Sequence, residues 1–339
     1  MVLNGASGTT MCVQPGTSAV QLAAARSPCE RLTERLLKSM FKSFVRRAAA
    51  ALGLAGLLVA VPAAARAPTR AHPALWEVSN SGTTIYLFGT IHLLPDNFQW
   101  RTAKFDHAVE NSQQLIVETI VDEKNPASVM SAMASLAFNT PNLPPLVDRV
   151  PPERRAALEA AVKKSGYPPQ AFDRMETWAV AFILLGNQYR DMNLKGDQGV
   201  EAVLRNTFTS ENKPIGELET NLEQFGFFDR LPEKAQDVLL EGALDDPKAA
   251  DAEFSGMLKA WSAGDVPAIA RTFDRDLASS PDLAQALIHQ RNANWKKWIE
   301  QRMSKPGSVM IVVGAGHLAG NDSVIAQLQR DGYRVRRVQ

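Results

Sequence analysis

The sequence predicts an α/β fold, with a central mixed β-sheet flanked by helices and a large helical insertion between the N-terminal and C-terminal strands. Three observations lead to this prediction. Apolar runs rich in β-branched and aromatic residues lie far apart in the chain, at 84–88 and 308–313. Almost all of 221–303 has a helical pattern of apolar residues. The two apolar runs also share an ending, Gly-x-x-His, which places His92 and His317 just beyond two strands.

The first elements of the chain follow from local patterns. The runs 75–78 and 84–88 flank the turn residues 80–82, which is typical of a β-hairpin. A helix is predicted over 101–112, and a short buried strand over 115–117. These elements build the N-terminal part of the sheet.

A run of helices follows the third strand. Pro151, Pro152 and Glu153 indicate a helix start, with 154–165 as the body and Gly166 as the closing residue. The remaining predicted elements are helices at 178–189, 199–209, 284–303 and 323–331, and strands at 213–219, 308–313 and 333–338. The C-terminal strands therefore complete the sheet, and the helical middle of the chain covers the edge of the sheet where the site lies.

The N-terminal segment predicts export. Lys42, Arg46 and Arg47 precede an apolar run at 48–61, and three alanines at 63–65 offer a cleavage site, so 40–65 has the pattern of a signal peptide. The alternative is a transmembrane anchor, which needs about 20 apolar residues. This run is shorter, and we expect cleavage, no stable membrane span afterwards, and a periplasmic or secreted protein.

The predicted domain boundaries follow from the same segment. Residues 1–39 have no hydrophobic periodicity, and we interpret them as disordered or as the product of an upstream start, with Met40 as the true initiator. A linker over 66–73 then leads to one folded domain over 74–339.

Composition excludes several classes of function. Residues 1–65 hold seven of the 37 Lys and Arg and two of the 36 Asp and Glu residues, so residues 66–339 carry a formal charge of −4. This mildly acidic part lacks the basic footprint of a nucleic-acid binder. Both cysteines, Cys12 and Cys29, lie before residue 66, which excludes disulfides and thiolate ligands from the folded domain.

Two histidines and a carboxylate are the candidate catalytic groups. His92 and His317 follow strands, and Glu118 directly follows the run 115–117. Ligands of open α/β sheets bind outside the carboxyl ends of the strands. Imidazole and carboxylate suit zinc, manganese or cobalt, and a catalytic ion activates a water. Glu118 would be a ligand or the base that accepts the proton of the water.

Each of these residues also has a simpler interpretation. A histidine beside a strand is often a hydrogen-bonded structural residue, and Glu118 or Arg291 taken singly is typical of a solvent-exposed side chain. In a functional site, Arg291 would hold a substrate carboxylate or stabilise an oxyanion. Glu219, directly after the strand residues 215–218, would be a further acid that contacts the substrate.

The motifs together resemble the TraB/PrgY/GumN family. They are Leu75-Trp76-Glu77-Val78, Phe88-Gly89-Thr90-Ile91-His92-Leu93-Leu94-Pro95, Leu115-Ile116-Val117-Glu118, Lys213-Pro214-Ile215-Gly216-Glu217-Leu218-Glu219-Thr220, Glu223-Gln224, Arg291-Asn292 and Val313-Gly314-Ala315-Gly316-His317-Leu318-Ala319-Gly320. They occur in the family order over residues 75–338.

The resemblance extends to the related Tiki proteins, which are described as metal-dependent proteases. It implies that His92, Glu118 and His317 carry the metal chemistry and that Arg291 assists. Two positions depart from the family pattern. Glu176-Thr177-Trp178 replaces a common Lys-Pro-Trp, and Glu201 stands where Asp is common. Both departures concern substrate contacts.

We therefore predict an exported metal-dependent hydrolase, a peptidase that acts on a peptide or protein. The alternative is a non-catalytic protein that sequesters a peptide or a metal, because TraB and PrgY are associated with shutting down peptide pheromone signalling. Heme handling is a third interpretation, suggested by a distant relationship to a heme-binding protein. The missing Cys-x-x-Cys-His motif excludes only covalent c-type heme.

Overall fold

The computed structural model describes residues 71–121, 127–192 and 194–339. The predicted segments 1–39 and 40–65, and most of the linker 66–73, lie outside these residues. At the start of the described chain Ala71 is buried, and the backbone N–H of His72 donates to the carbonyl of Ser262 across 2.7 Å. Within the described ranges, no helix combines the length and the apolar character needed to cross a membrane.

Six strands form one mixed sheet in the order β4-β3-β5-β2-β1-β6. The strands are β1 (Leu75–Ser79), β2 (Thr83–Thr90), β3 (Gln114–Val117), β4 (Ile215–Glu217), β5 (Gly307–Gly314) and β6 (Val335–Arg337). The four strands β4, β3, β5 and β2 are parallel, and β1 pairs antiparallel with both β2 and β6. The predicted mixed sheet, completed by the C-terminus, is confirmed.

Thirteen α-helices lie in the described residues. They are α1 (Ala103–Asn111), α2 (Ala127–Leu136), α3 (Arg155–Ser165), α4 (Pro169–Asp173), α5 (Thr177–Asp191), α6 (Val200–Ser210), α7 (Asn221–Asp229), α8 (Glu233–Gly242), α9 (Pro247–Ser262), α10 (Val266–Leu277), α11 (Pro281–Ala284), α12 (Gln290–Met303) and α13 (Val324–Arg330). A π-helical turn, Gln285–His289, joins α11 to α12, and a 3-10 turn, Ala315–Leu318, follows β5.

Local signals define several helix ends. Thr220 and Glu223 form a reciprocal capping box at the start of α7. Gly166 ends α3 at φ 75, a left-handed conformation that glycine adopts without the steric cost of a Cβ atom. The predicted closure of this helix at Gly166 is confirmed.

Helices cover both faces of the sheet. On one face, Phe88 and Met310 pack with residues of α1, α6 and α9, including the fully buried Phe105. On the other face, Leu87 and Ile311 pack with α12 and α13. Burial on both faces explains why β2 and β5 read as continuous apolar runs rather than as alternating patterns.

The helical insertion has its own core. Its centre is Trp178 on the almost entirely buried helix α5. The Trp178 ring stacks on Phe225 of α7, with centroids 5.8 Å apart, and Phe182 meets Phe228 edge-on at 4.7 Å. This packing places α5, α7 and α8 beside the carboxyl ends of the parallel strands.

Candidate functional site

The parallel strands bring every predicted site residue to one edge of the sheet. His92 lies two residues after β2, Glu118 directly after β3, Glu219 two residues after β4, and His317 in the turn after β5. Arg291, in the first turn of α12, reaches the same place from the helical side. Parallel strands end on the same side of a sheet, so the topology alone explains this convergence.

Gly314, the last residue of β5, marks the centre of the group. A Cβ atom placed on Gly314 would lie 3.2 Å from Glu118 Oε1, 3.5 Å from His92 Nε2 and 3.6 Å from His317 Cδ2. The Gly314 backbone N–H donates to Glu118 Oε1 across 2.6 Å. The strand glycine therefore allows two imidazoles and a carboxylate to approach one another.

Arg291 joins the acidic groups of the site. Its Nη2 donates to Glu118 Oε2 across 2.7 Å, and its Nε donates to Glu219 Oε1 across 2.9 Å. Nη2 also binds Glu219 directly. The guanidinium lies over the Trp295 ring, 4.6 Å from its centroid. Arg291, Glu118 and Glu219 are all buried, so neither Arg291 nor Glu118 is the solvent-exposed side chain that the simpler interpretation expected.

The remaining donors of Arg291 face the histidine side. Nη1 donates to His317 Nε2 across 3.1 Å and to the carbonyl of Leu287 across 3.4 Å. Leu287 belongs to the π-helical turn, an irregularity that is common at functional sites. All five N–H groups of the guanidinium thus have protein acceptors.

The pKa values of the two carboxylates in the network shift in opposite directions. Burial acts to raise the pKa of Glu118, but Arg291 and then the two histidines outweigh it and lower this pKa to about 2. For Glu219, burial dominates over the attraction of Arg291 and raises the pKa. Gln224 donates to both carboxylates, at 3.3 Å and 3.1 Å. Glu118 therefore holds its negative charge more strongly than Glu219 does.

Asn292 orients His317. The Nδ1–H of the ring donates to Asn292 Oδ1 across 2.7 Å, and Nε2 accepts from Arg291. Burial, followed by the charge of Arg291, lowers the pKa of His317 to about 3. The ring is neutral, and its Nε2 lone pair accepts the hydrogen bond from Arg291.

Glu201 orients His92. The Nδ1–H of His92 donates to Glu201 Oε1 across 2.7 Å, and the Thr90 hydroxyl also donates to this carboxylate. Burial acts to lower the pKa of His92, but the charge and hydrogen bond of Glu201 outweigh it and raise the pKa to about 9. The other nitrogen, Nε2, is the one that faces Gly314.

The donor set suits a divalent metal in kind. Imidazoles whose second nitrogen binds a carboxylate or an amide oxygen are the usual arrangement around a metal ion. His317 Nε2 and Glu118 Oε1 are 4.0 Å apart, compared with about 3.4 Å for two ligands of a tetrahedral zinc. Within the described residues, no group of three or more His, Cys, Asp or Glu side chains is arranged to hold a metal ion.

A cavity of about 550 Å³ adjoins the site. His92, Arg291, Gly314 and His317 line one end of it. Its walls are mainly apolar side chains of the helical insertion. The cavity confirms that the helical insertion covers this edge of the sheet, as the sequence analysis expected. Glu118 and Glu219 are not among the lining residues, so both lie behind His317 and Arg291 as seen from the cavity.

The residues that orient the histidines have no role that the sequence alone predicts. Glu201 was noted only as a departure from the family pattern, and Asn292 only as the neighbour of Arg291. Gln224 belongs to the motif Glu223-Gln224 but has no role assigned from the sequence, and neither has Trp295, although Trp295 Nε1 donates to Glu219 across 3.3 Å. These contacts join segments remote in sequence, and such contacts leave no local pattern.

Comparison with known proteins gives one family. The model of the TraB/PrgY/gumN family matches residues 74–337. The chain is 25% identical over 244 residues to the protein named "Uncharacterized protein YbaP" of Escherichia coli (strain K12) and to its namesake in Shigella flexneri. Each alignment covers 72% of this chain and 87% of the relative. No solved structure gives a significant match.

Proposed function

The chain belongs to the TraB/PrgY/gumN family, and on this premise we propose that it is an exported metal-dependent hydrolase that cleaves peptide bonds. One observation carries the proposal. His92, Glu118 and His317, from three different strand ends, all surround Gly314 at the end of a cavity large enough for a ligand.

The ligands of the ion would be His92 Nε2, His317 Nε2 and the Glu118 carboxylate, with Mn²⁺, Co²⁺ or Zn²⁺ as the ion. When bound, such an ion supplies Lewis acidity and lowers the pKa of a water to near neutrality. Glu201 and Asn292 bind the Nδ1 atoms of the two rings, which leaves the Nε2 atoms as the nitrogens that could bind an ion. His92 must release a proton to act as a ligand, so metal and proton compete for it.

The buried Arg291 has two roles in this proposal. It keeps Glu118 ionised and compensates the charge of the acidic pair, as the lowered pKa of Glu118 reflects. It also lines the cavity, and if His317 Nε2 bound an ion instead, one Nη1–H would become available to stabilise negative charge that develops on a substrate carbonyl. Glu219 touches Arg291, Gln224 and Trp295, and we assign it the positioning of Arg291.

Export rests on the signal-like sequence at 40–65. The expected outcome in a Gram-negative host is recovery of a shortened chain, cut near 65, in the periplasmic fraction. Detection of the uncut chain in the membrane fraction would instead indicate an anchor.

The test of the activity uses the purified full chain. A chelator first removes bound metal from the protein. Mn²⁺, Co²⁺ and Zn²⁺ are then added back in separate samples, and cleavage of a mixed peptide library is followed by mass spectrometry. Cleavage is expected to stop with chelator and to return with at least one of the ions. The double variant His92→Ala/His317→Ala is expected to stay inactive with every ion.

The matched control removes two histidines that lie outside the site. His72 and His107 are exposed, and His72→Ala/His107→Ala is expected to keep the activity. Full cleavage by His92→Ala/His317→Ala would overturn the proposed mechanism.

A non-catalytic peptide-binding protein is the second candidate. The observation that favours it is the hydrogen bond from Arg291 to His317 Nε2, which occupies the nitrogen that a metal would need. The same incubation distinguishes the two functions, because sequestration leaves the bound peptide intact and hydrolysis yields fragments.

A further inference from the structure

We propose that the cavity beside His92 and His317 selects peptides with large apolar side chains next to the bond that is cleaved. This inference rests on the proposed function and adds to it the class of substrate. It concerns the helical walls of the cavity, which none of the predicted metal-binding or catalytic residues occupies.

The walls are built for apolar groups. They come from α5, α7, α8, α9 and α10 and from the turn before α12, and their aromatic and aliphatic side chains are mostly buried. The apolar lining residues that carry the argument are Leu185, Phe228, Leu239, Phe254, Phe273 and Leu287. A volume of about 550 Å³ lies within the range of about 300–1,000 Å³ for ligand sites, so the cavity takes a short segment rather than one small side chain.

The apolar wall reaches the reacting end directly. A Cβ atom on Gly316 would lie 2.6 Å from the Phe273 ring, so the glycine in the second Gly-x-x-His motif is what allows this ring to approach. Phe273 therefore packs against the residue next to His317. An apolar side chain of a bound peptide would contact this ring while its backbone lay beside the histidines.

Three charged side chains of the lining already have ionic partners, two of them in each other and one in a residue outside the lining. Arg154 Nη2 donates to Asp245 Oδ1 and to the carbonyl of Glu241, both across 2.7 Å, and Glu253 is paired with Arg275. A charged substrate side chain would lose hydration on entering and would have to compete with these existing pairs. An apolar side chain gains free energy from the same burial.

The test uses the full chain with the most active ion and peptides that differ at one position. Leu and Phe at the variable position are expected to give kcat/KM at least about 10-fold higher than Ala, Asp or Lys. Equal kcat/KM for all five residues would overturn the inference.

A glycine pair supplies the matched variants. Gly242 lines the cavity, and a Cβ atom there meets nothing within 4 Å, so Gly242→Phe adds a ring without a clash at its root. Gly256 on α9 is equally open but does not line the cavity. Gly242→Phe is expected to lower the ratio of Phe to Ala cleavage several-fold, and Gly256→Phe to leave it unchanged. Identical ratios in the two variants would contradict the inference.

Binding separates this inference from the proposed function. Binding of labelled peptides to the chelator-treated wild-type chain is measured by fluorescence anisotropy. This measurement does not depend on cleavage. If no peptide is cleaved but the Leu and Phe peptides bind at least about 10-fold more tightly than the others, the hydrolase proposal fails and the apolar selectivity holds. Equal binding of all peptides, or no binding, overturns the selectivity.

Discussion

Nδ1 of His92 and Oε1 of Glu201 lie 2.7 Å apart, and this hydrogen bond joins the loop after β2 to the first turn of α6. The carboxylate also binds the Thr90 hydroxyl, so it is held from two sides. Because Nδ1 is occupied, only Nε2 of His92 is directed at Glu118 and Gly314. The orientation of the first motif histidine therefore depends on a helix that is remote from it in the chain.

Replacement of Glu201 is expected to weaken metal binding. Glu201→Ala removes both the charge and the acceptor, and loss of such an outer partner typically costs about 10- to 100-fold in metal affinity. Titration calorimetry with Zn²⁺ and Mn²⁺ on the chelator-treated chain measures this. Glu201→Asp keeps the carboxylate and should recover part of the affinity, and Glu211→Ala, at an exposed position after α6, is the control. Equal affinity in Glu201→Ala and the wild type would refute the role.

Replacement of Asn292 is expected to change the tautomer of His317. Asn292 is fully buried, and its Oδ1 accepts the Nδ1–H of the ring. Since the pKa of His317 is about 3, the ring is neutral near pH 7 and its tautomer is set by its hydrogen-bond partners. Ring ¹⁵N chemical shifts should report the Nδ1–H tautomer in the wild type and a mixture in Asn292→Leu. An unchanged ¹⁵N spectrum in that variant would contradict the assignment.

Loss of Arg291 is expected to destabilise the fold. Arg291→Leu leaves Glu118 and Glu219 buried without their cation, and breaking a buried pair in this way costs about 3–5 kcal/mol. Urea denaturation in the presence of chelator measures the free energy of unfolding without a metal contribution. Arg336→Ala breaks the exposed pair with Glu77 and should cost less than about 1 kcal/mol. Similar losses in the two variants would argue against a buried ionic network.

Asp237, on α8, is expected to make the stability of the fold depend on pH. Burial and then the neighbouring Glu233 and Glu241 raise the pKa of Asp237 from 3.8 to about 6, and its Oδ1 has no hydrogen-bond partner in the described residues. The folded state therefore holds the proton more tightly than the unfolded state. This stabilising contribution is complete below the unfolded pKa and is lost as the pH rises through about 6.

Asp237→Asn removes this dependence. Near neutral pH the variant should be more stable than the wild type by about 0.5–1 kcal/mol. This is the sum expected for two like-charge pairs one turn apart on α8, Asp237 with Glu233 and Asp237 with Glu241. Partial exposure of these side chains keeps the effect small. Urea denaturation at about pH 4 and about pH 7 tests the difference, which should shrink at the lower pH. The control is Glu159→Gln on an exposed face of α3. A neutral-pH stability of Asp237→Asn at or below that of the wild type would be the contrary result.

Much of the fold could be predicted because it depends on local patterns. β2 and β5 are apolar throughout because both faces of each strand are covered, and Gly166 ends its helix where glycine was expected to do so. The segment 221–303 was predicted as almost entirely helical, and the structure divides it at capping residues followed by proline. Asp246 with Pro247 starts α9, and Ser280 with Pro281 starts α11.

The strands near the sheet edges are shorter than predicted. The pattern indicated strands over 213–219 and 333–338, but β4 covers Ile215–Glu217 and β6 covers Val335–Arg337. The N–H of Lys213 donates to the carbonyl of Phe208, so this residue closes α6 instead of entering the sheet. Apolar pattern does not distinguish a strand residue from a neighbour whose hydrogen bonds go elsewhere.

Sequence alone established the family, through motifs in a set order, and named five residues that meet at one sheet edge. They meet because the strands before them run in the same direction. That direction can be inferred from the short apolar runs and from the right-handed connections between parallel strands. The fold supplied the partners that decide charge and orientation, such as Glu201 for His92 and Asn292 for His317. Those partners lie within a few ångströms of the histidines in space but belong to remote segments, so no local pattern in the chain records them. Burial strengthens each of these contacts.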